Sequence, residues 1–99
     1  MNQSSVYIIT NKNNTVLYTG VTSDLLKRIY EHKTKLYKES FSARYNCNKL
    51  VFYTNFDSIF EAIEFEKKMK AGSRAKKIRL IKSANSEWKD LAESWFFEI

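Results

Sequence analysis

Apolar positions in the first part of the chain fall in two short runs, Val6–Thr10 and Val16–Gly20, separated by the polar knot Asn11–Asn14. Runs of β-branched and aromatic residues joined by turn-tolerant ones predict a β-hairpin. The period then changes. Leu25, Leu26 and Ile29 recur at helical spacing behind Thr22 and Ser23, which offer N-caps. A helix is therefore expected over Asp24–Lys33, with Asp24 at its favourable N-terminal end. Lys35–Asn48 is polar, with a short helix near Ser40–Tyr45, and Leu50–Asn55 (LVFYTN) reads as a third strand. Asp57 or Ser58 caps a helix over Ile59–Lys70, with Ser58 and Glu61 at capping-box spacing. Gly72 breaks that helix, Ser73 caps the next, and Arg74–Ala84 forms it. Trp88, Leu91, Trp95 and Phe96 mark a C-terminal segment that lids the core. The order β-β-α-β-α-α predicts a small α/β (α+β) fold, a three-stranded antiparallel or mixed sheet flanked by helices.

Composition narrows the picture. A chain of 99 residues, 43% hydrophobic and 15% aromatic, is expected to close one core in a single domain over residues 1–99, its heart about 5–91. The one cysteine, Cys47, excludes an intramolecular disulfide framework and any Cys-based zinc site. Neither a signal peptide nor an apolar run approaching a membrane span is visible, so a cytoplasmic protein without membrane contact is expected. The net charge of +6 is unevenly placed: EKKMKAGSRAKKIRLIK carries eight basic residues against the single acid Glu66. A directional basic surface favours a polyanion held through phosphate contacts over a merely soluble basic protein.

Several polar residues occupy apolar places. In the helix over Ile59–Lys70, steps of about 100° per residue put Ala62, Ile63 and Met69 on one face, with Glu66 near its middle. A carboxylate there is paired in a salt bridge, binds a metal, reaches the rim of a cleft, or belongs to a helix of shifted phase. Arg28 and His32, four apart, lie together along the edge of the first helix. They are either a solvated pair or a guanidinium and an imidazole sharing a cleft. Tyr7 and Tyr18 sit in strands where an aliphatic residue would pack as well. A thiol–imidazole pair of Cys47 and His32 has no supporting context, and a bystander cysteine is the better reading. The chain has no Gly-rich phosphate loop, no His-Glu-x-x-His helix and no G-x-S-x-G elbow; with one histidine, a multi-histidine metal site is excluded.

Taken in order, these residues resemble the GIY-YIG nuclease superfamily, most closely its small single-domain members. The two namesake triplets correspond to Ser5-Val6-Tyr7 and Tyr18-Thr19-Gly20. LYTGVTSDLLKRIYEHK is similar to the family's second strand and following helix. FSARYNCNKLVFYTNF, EAIEFEKKMKAGSRAKKIRLIK and NSEWKDL continue the likeness to about Leu91. The sequence departs from the pattern at Ser5, Val6 and Thr19, and Ser86 stands where similar proteins often carry Pro.

The resemblance implies a metal-dependent endonuclease on nucleic acid, DNA first, with repair or recombination substrates. It implies that Glu66 holds Mg²⁺ or Mn²⁺ and that Arg28 stabilises charge building on the phosphate. It further implies Tyr7 as general base for the attacking water, Tyr18 as a positioner of water or phosphate, His32 as an aid to proton transfer or orientation, and Asn85 as a polar support of the site. A phenol, with a reference pKa of about 10, acts as a base at neutral pH only if nearby cations favour the phenolate. Lys67, Lys70, Arg74, Lys76 and Lys77 are the expected nucleic-acid contacts; specificity is expected to be weak, to come from substrate shape, or to come from a protein partner. The alternatives are a nucleic-acid-binding module of the same fold with little turnover, and a protein-interaction domain with an acidic partner.

Overall fold

The computed structural model describes residues 3–95. Its centre is β1 (Ser4–Thr10), buried along its whole length, with β2 (Leu17–Thr22) on one side and β3 (Lys49–Phe56) on the other. Both pairings are antiparallel, which settles the choice between an antiparallel and a mixed sheet. The β1–β2 hairpin turns at the expected asparagines. Asn14 N–H donates to Asn11 O, Asn14 takes φ 59°, and Asn11 Oδ1 accepts from Thr15 N and Val16 N. Asparagine tolerates this left-handed conformation and can replace missing backbone partners in a turn.

Because strand side chains alternate, β1 feeds two cores. Tyr7 and Ile9 join Ile29, Cys47, Leu50 and Ala92 on one face. Ile8 joins Val51, Phe52 and Ile81 on the other. A register shift between Ile8 and Ile9 pairs them with Phe52 and Leu50, leaving Val51 as the extra residue. The bulge lets adjacent Val51 and Phe52 serve the same core, which strict alternation would forbid.

Helix α1 (Leu25–Lys33) begins one residue later than expected, with Asp24 itself as the cap accepting from Lys27 N. Thr22 Oγ1 instead accepts from Asp24 N, shaping the approach to the helix. Ile29 and His32 are its buried residues, while Leu26 is exposed, so the imidazole occupies part of the face expected for leucine. The polar stretch contains one helical turn, α2 (Phe41–Arg44), capped by Ser40.

On the opposite face, α3 (Ile59–Ala71) runs one residue past the expected end and α4 (Arg74–Ala84) has the expected bounds, capped by Ser58 and Ser73. Ser58 Oγ accepts from Phe60 N rather than from Glu61 N, so the capping-box geometry is not adopted. Phe65 and Met69 carry α3 onto the core, with Phe65 against Phe56 at 5.4 Å between ring centroids.

The C-terminal segment does close over the sheet, though its aromatics divide between the two faces. Leu91 and Trp95 pack on the α1 side and Trp88 on the α3–α4 side; Phe96 lies outside the described residues. Asp90 fastens this segment: Oδ1 accepts from Leu50 N, and Oδ2 pairs with Lys33 at 2.6 Å. Among the described residues no helix is long and apolar enough to cross a membrane.

Candidate active site

Tyr7 and Gly20 are register partners in the hairpin. The Tyr7 ring lies directly over Gly20: a Cβ there would come within 2.4 Å of both Cζ and Oη of the tyrosine. Gly20 has no positive φ, so the glycine serves close approach and not a turn. Gly20→Ala is therefore expected to displace the phenol and destabilise the fold by about 2 kcal/mol. Urea unfolding measures the second effect; an unchanged midpoint would contradict the close packing.

The phenol so placed reaches His32. Tyr7 Oη and His32 Nε2 are 2.8 Å apart, and His32 Nδ1 is 2.8 Å from Ser42 Oγ, which lies 3.3 Å from Ser40 Oγ. Three elements thus converge: Tyr7 from β1, His32 from α1 and Ser42 from α2. Burial first, and then the charges around them, sets their protonation. Burial pushes Tyr7 up to about 12, outweighing the hydrogen bond and positive charge of Arg28 that pull it down. Burial, reinforced by Arg28, lowers His32 to about 4, with Glu31 opposing weakly. Both groups are neutral over the physiological range. Partial burial works against the Arg28 cation, but hydrogen bonds to Glu31 and to Tyr7 overcome it and hold Arg28 above its already high value.

One orientation of the hydrogen bonds suits these states. Arg28 only donates, so the Tyr7 oxygen is the acceptor toward it, which leaves the Tyr7 hydroxyl to donate to an unprotonated Nε2. A neutral imidazole accepting at Nε2 carries its proton at Nδ1 and donates to Ser42 Oγ. The order Arg28, Tyr7, His32, Ser42 then ends at Ser40, the N-cap of α2.

Tyr18 completes this wall, its ring 5.7 Å from His32 and 6.5 Å from Tyr7. Arg28 Nη1 pairs with Glu31 at 3.0 Å, and the guanidinium lies 5.8 Å from the centroid of Tyr37. Tyr7, Tyr18, Arg28 and His32 are therefore together. Ser5, where the family motif has Gly, is buried and donates to Asn55 Oδ1 at 2.6 Å, so its side chain has a place in the β1–β3 pair.

Glu66 comes from α3. Its side chain is only 12% exposed and forms an i,i+4 ion pair with Lys70 at 3.0 Å, so the salt-bridge reading of its apolar position is realised. It makes no hydrogen bond or ion pair with the tyrosine–histidine group among the described residues. A cavity of about 280 Å³ lies at the β2 edge, walled by Tyr18, Thr19 and Phe41 together with Lys77 and Lys70, the ion-pair partner of Glu66. No group of three or more metal-ligating side chains occurs among the described residues. A lone carboxylate still suits Mg²⁺, which keeps most of its waters and takes phosphate oxygens from substrate.

Asn85 ends α4, and among the described residues its side chain bonds to backbone alone. Its amide donates to Val51 O and Lys89 O and accepts from Lys89 N, tying the end of α4 to β3. The basic residues also separate. Lys70 and Lys77 face the β2-edge cavity; Arg74 donates to Thr15 O in the hairpin turn; Lys76 is exposed; Lys67 borders a hollow with Glu61 and Glu64. Cys47 is buried, and burial raises its thiol, while both nitrogens of His32 have other partners.

Sequence reasoning missed Gly20 as the seat of the tyrosine, Glu31 as the partner of Arg28 and Ser42 as the partner of His32. A lone glycine inside a strand and an acid three residues from an arginine were readable signals. A serine in a polar stretch was not.

The comparisons with known proteins bear on the family and the fold. The family described as "GIY-YIG catalytic domain" matches residues 3–79. A UPF0213 protein of Syntrophus aciditrophicus is 35% identical over 82 residues, covering 83% of this chain and 93% of its own length. A UPF0213 protein of Staphylococcus saprophyticus is 35% identical over 81 residues, covering 82% and 96%. Among solved structures, the solution NMR structure of a UPF0213 protein from Bacillus halodurans is similar with a TM-score of 0.57 and 28% identity, covering 93% of this chain and 97% of that one. The chain belongs to the GIY-YIG catalytic domain family, alongside the small UPF0213 proteins that consist of little more than this domain.

Proposed function

We propose that this chain is a divalent-metal-dependent endonuclease that hydrolyses phosphodiester bonds in DNA of the kinds met in repair or recombination, acting in the cytoplasm with a protein partner for specificity. Membership of a nuclease fold family makes the reaction class the starting point, but a fold alone does not establish an activity. The observation that carries the reading is the 2.8 Å contact of Tyr7 Oη with His32 Nε2 beside the permanent cation of Arg28.

In this proposal a substrate phosphate displaces Glu31 from Arg28, and the guanidinium stabilises charge as the phosphate becomes pentacovalent. Neutralising Arg28 also removes one of the two causes that lower His32, so Nε2 becomes more basic when substrate is bound. Tyr7 takes a proton from the attacking water as its own hydroxyl proton passes to Nε2. No phenolate is needed, which suits a tyrosine held at about 12. Tyr18 positions water or phosphate at the cavity wall, and Asn85 acts indirectly by fixing the end of α4.

Glu66 would hold the metal, with half-exposed Lys70 as a counter-charge that can swing away. When bound, Mg²⁺ or Mn²⁺ supplies Lewis-acid charge to a phosphate oxygen. Lys67, Lys70, Arg74, Lys76 and Lys77 are proposed phosphate contacts, with Lys70 and Lys77 best placed near Tyr18.

The same resting protonation favours one alternative, a nucleic-acid-binding module with little turnover, because neither Tyr7 nor His32 is a strong base in the free protein. A screen of branched, nicked and single-stranded DNA, and of RNA, with either metal separates the two. Cleavage of at least one substrate is expected; binding to the panel without cutting would leave the binding module.

A further inference from the structure

Outside the hydrogen-bonded chain, the loop and turn after α1 expose an unusual amount of aromatic surface. Phe41 and Tyr45 are each 48% exposed and Tyr37 is 56% exposed. Two of these rings continue from Tyr18: Phe41 lies 6.1 Å from Tyr18 with 26° between planes, and 4.6 Å from Tyr45 with 40° between planes. One end of the array therefore begins at the wall of the candidate active site. Phe41 also lines the β2-edge cavity with Lys70 and Lys77, so aromatic surface and cationic charge share one groove.

Packing does not require this arrangement. The inward side of α2 is already filled by Ser42 and Ala43, both buried, while Phe41 and Tyr45 project from the same turn toward solvent. Exposing large rings has no folding benefit, and a basic groove lined with them fits a strand whose bases stack while its phosphates meet lysines. Duplex DNA offers the phosphates but keeps its base faces stacked away from such rings.

We infer that Phe41 and Tyr45, continuing from Tyr18, form a stacking platform for unpaired bases of a nucleic-acid strand beside the candidate active site, with Lys70 and Lys77 holding the adjoining phosphates. This inference rests on the nucleic-acid reading above and adds a substrate class to it: strands that are single or locally unpaired at the site of action. The short α2 also carries Ser42, so the platform and the His32 hydrogen bond ride on one turn.

The test is equilibrium binding by fluorescence anisotropy in EDTA, with DNA and RNA oligonucleotides of one sequence, each single-stranded and as a duplex. Phe41→Ala and Tyr45→Ala are expected to weaken single-strand binding by about tenfold each, leaving duplex binding unchanged. Phe41→Tyr and Tyr45→Phe, which keep the rings, should bind as the parent protein does. A strand with abasic sites at its centre should lose the same factor against the parent protein and no further factor against Phe41→Ala.

Equal losses on single strands and duplexes, or no loss on any single strand, would overturn the platform; the second result would assign the rings to a protein surface instead. Because no cleavage is read, a protein that binds in the expected way and never cuts contradicts the nuclease and leaves the platform standing. A protein that cuts while the alanine variants bind normally does the reverse.

Discussion

Arg28→Ala is expected to lower the rate of phosphodiester cleavage by about 10³-fold. The guanidinium is the permanent charge at the open end of the hydrogen-bonded chain, and it is partly exposed while its partner Glu31 is more enclosed. A planar fork can contact a phosphate and Tyr7 together, so Arg28→Lys should recover little, since an ammonium is a point charge. The substitution carries a second readout within the folded protein. Arg28 contributes to lowering His32, so an NMR titration of Arg28→Ala should move the imidazole from about 4 back toward 6.5. Cleavage within a few-fold of the parent protein would remove Arg28 from the chemistry; an unmoved His32 titration would contradict the electrostatic account.

Tyr7→Phe is expected to slow cleavage by about 10²-fold or more, the range for loss of a positioned proton-transfer group. Phenylalanine keeps the ring over Gly20 and loses only the hydroxyl that joins Arg28 to His32. The loss also leaves buried Nε2 without its partner, which costs about 1–3 kcal/mol of stability. The pH dependence follows from the same groups. His32 moves from 6.5 down to about 4 on folding, so the folded state binds fewer protons in that interval. Its contribution is complete above pH 6.5 and is lost as pH falls through the interval. Tyr7 moves from 10.0 up to about 12, so its contribution is complete below pH 10 and is lost as pH rises.

Urea midpoints should therefore climb between pH 4 and 6.5, with neither group adding a slope from there to pH 10. The acid limb of kcat/KM should lie near pH 4, and that of kcat higher, because bound phosphate cancels the charge that depresses the imidazole. Identical acid limbs would contradict the coupling of Arg28 to His32.

The parts of this molecule that obey local rules were readable from the sequence. The hairpin is set by Asn11 and Asn14, and the starts of α3 and α4 by Ser58 and Ser73. These depend on residues a few positions apart. The association of Tyr7, Tyr18, Arg28 and His32 was reachable through the family likeness, but its proton arrangement was not. It depends on how deeply Tyr7 and His32 are buried and on Ser42 arriving from a separate turn.

Glu66 illustrates the limit from the other direction. Helical spacing placed it correctly on a largely enclosed face, yet spacing left open whether a lysine or a cleft would meet it there. The bulge at Val51 was equally hidden, since a single extra residue in β3 is visible only against its partner strand. Asn85 is polar and buried as a support should be, but its work is to bind backbone, which no motif announces.

In the proposed enzyme, a carboxylate on α3 and the Arg28–Tyr7–His32 group form one metal-dependent nuclease site. Single-turnover cleavage of the best substrate from the screen tests it most directly, with the parent protein and Glu66→Ala compared in Mg²⁺, Mn²⁺ and EDTA. Cutting by the parent protein is expected in either metal, with none in EDTA and none by a folded Glu66→Ala that still binds the substrate. Undiminished cutting by Glu66→Ala, or cutting that persists in EDTA, would contradict it.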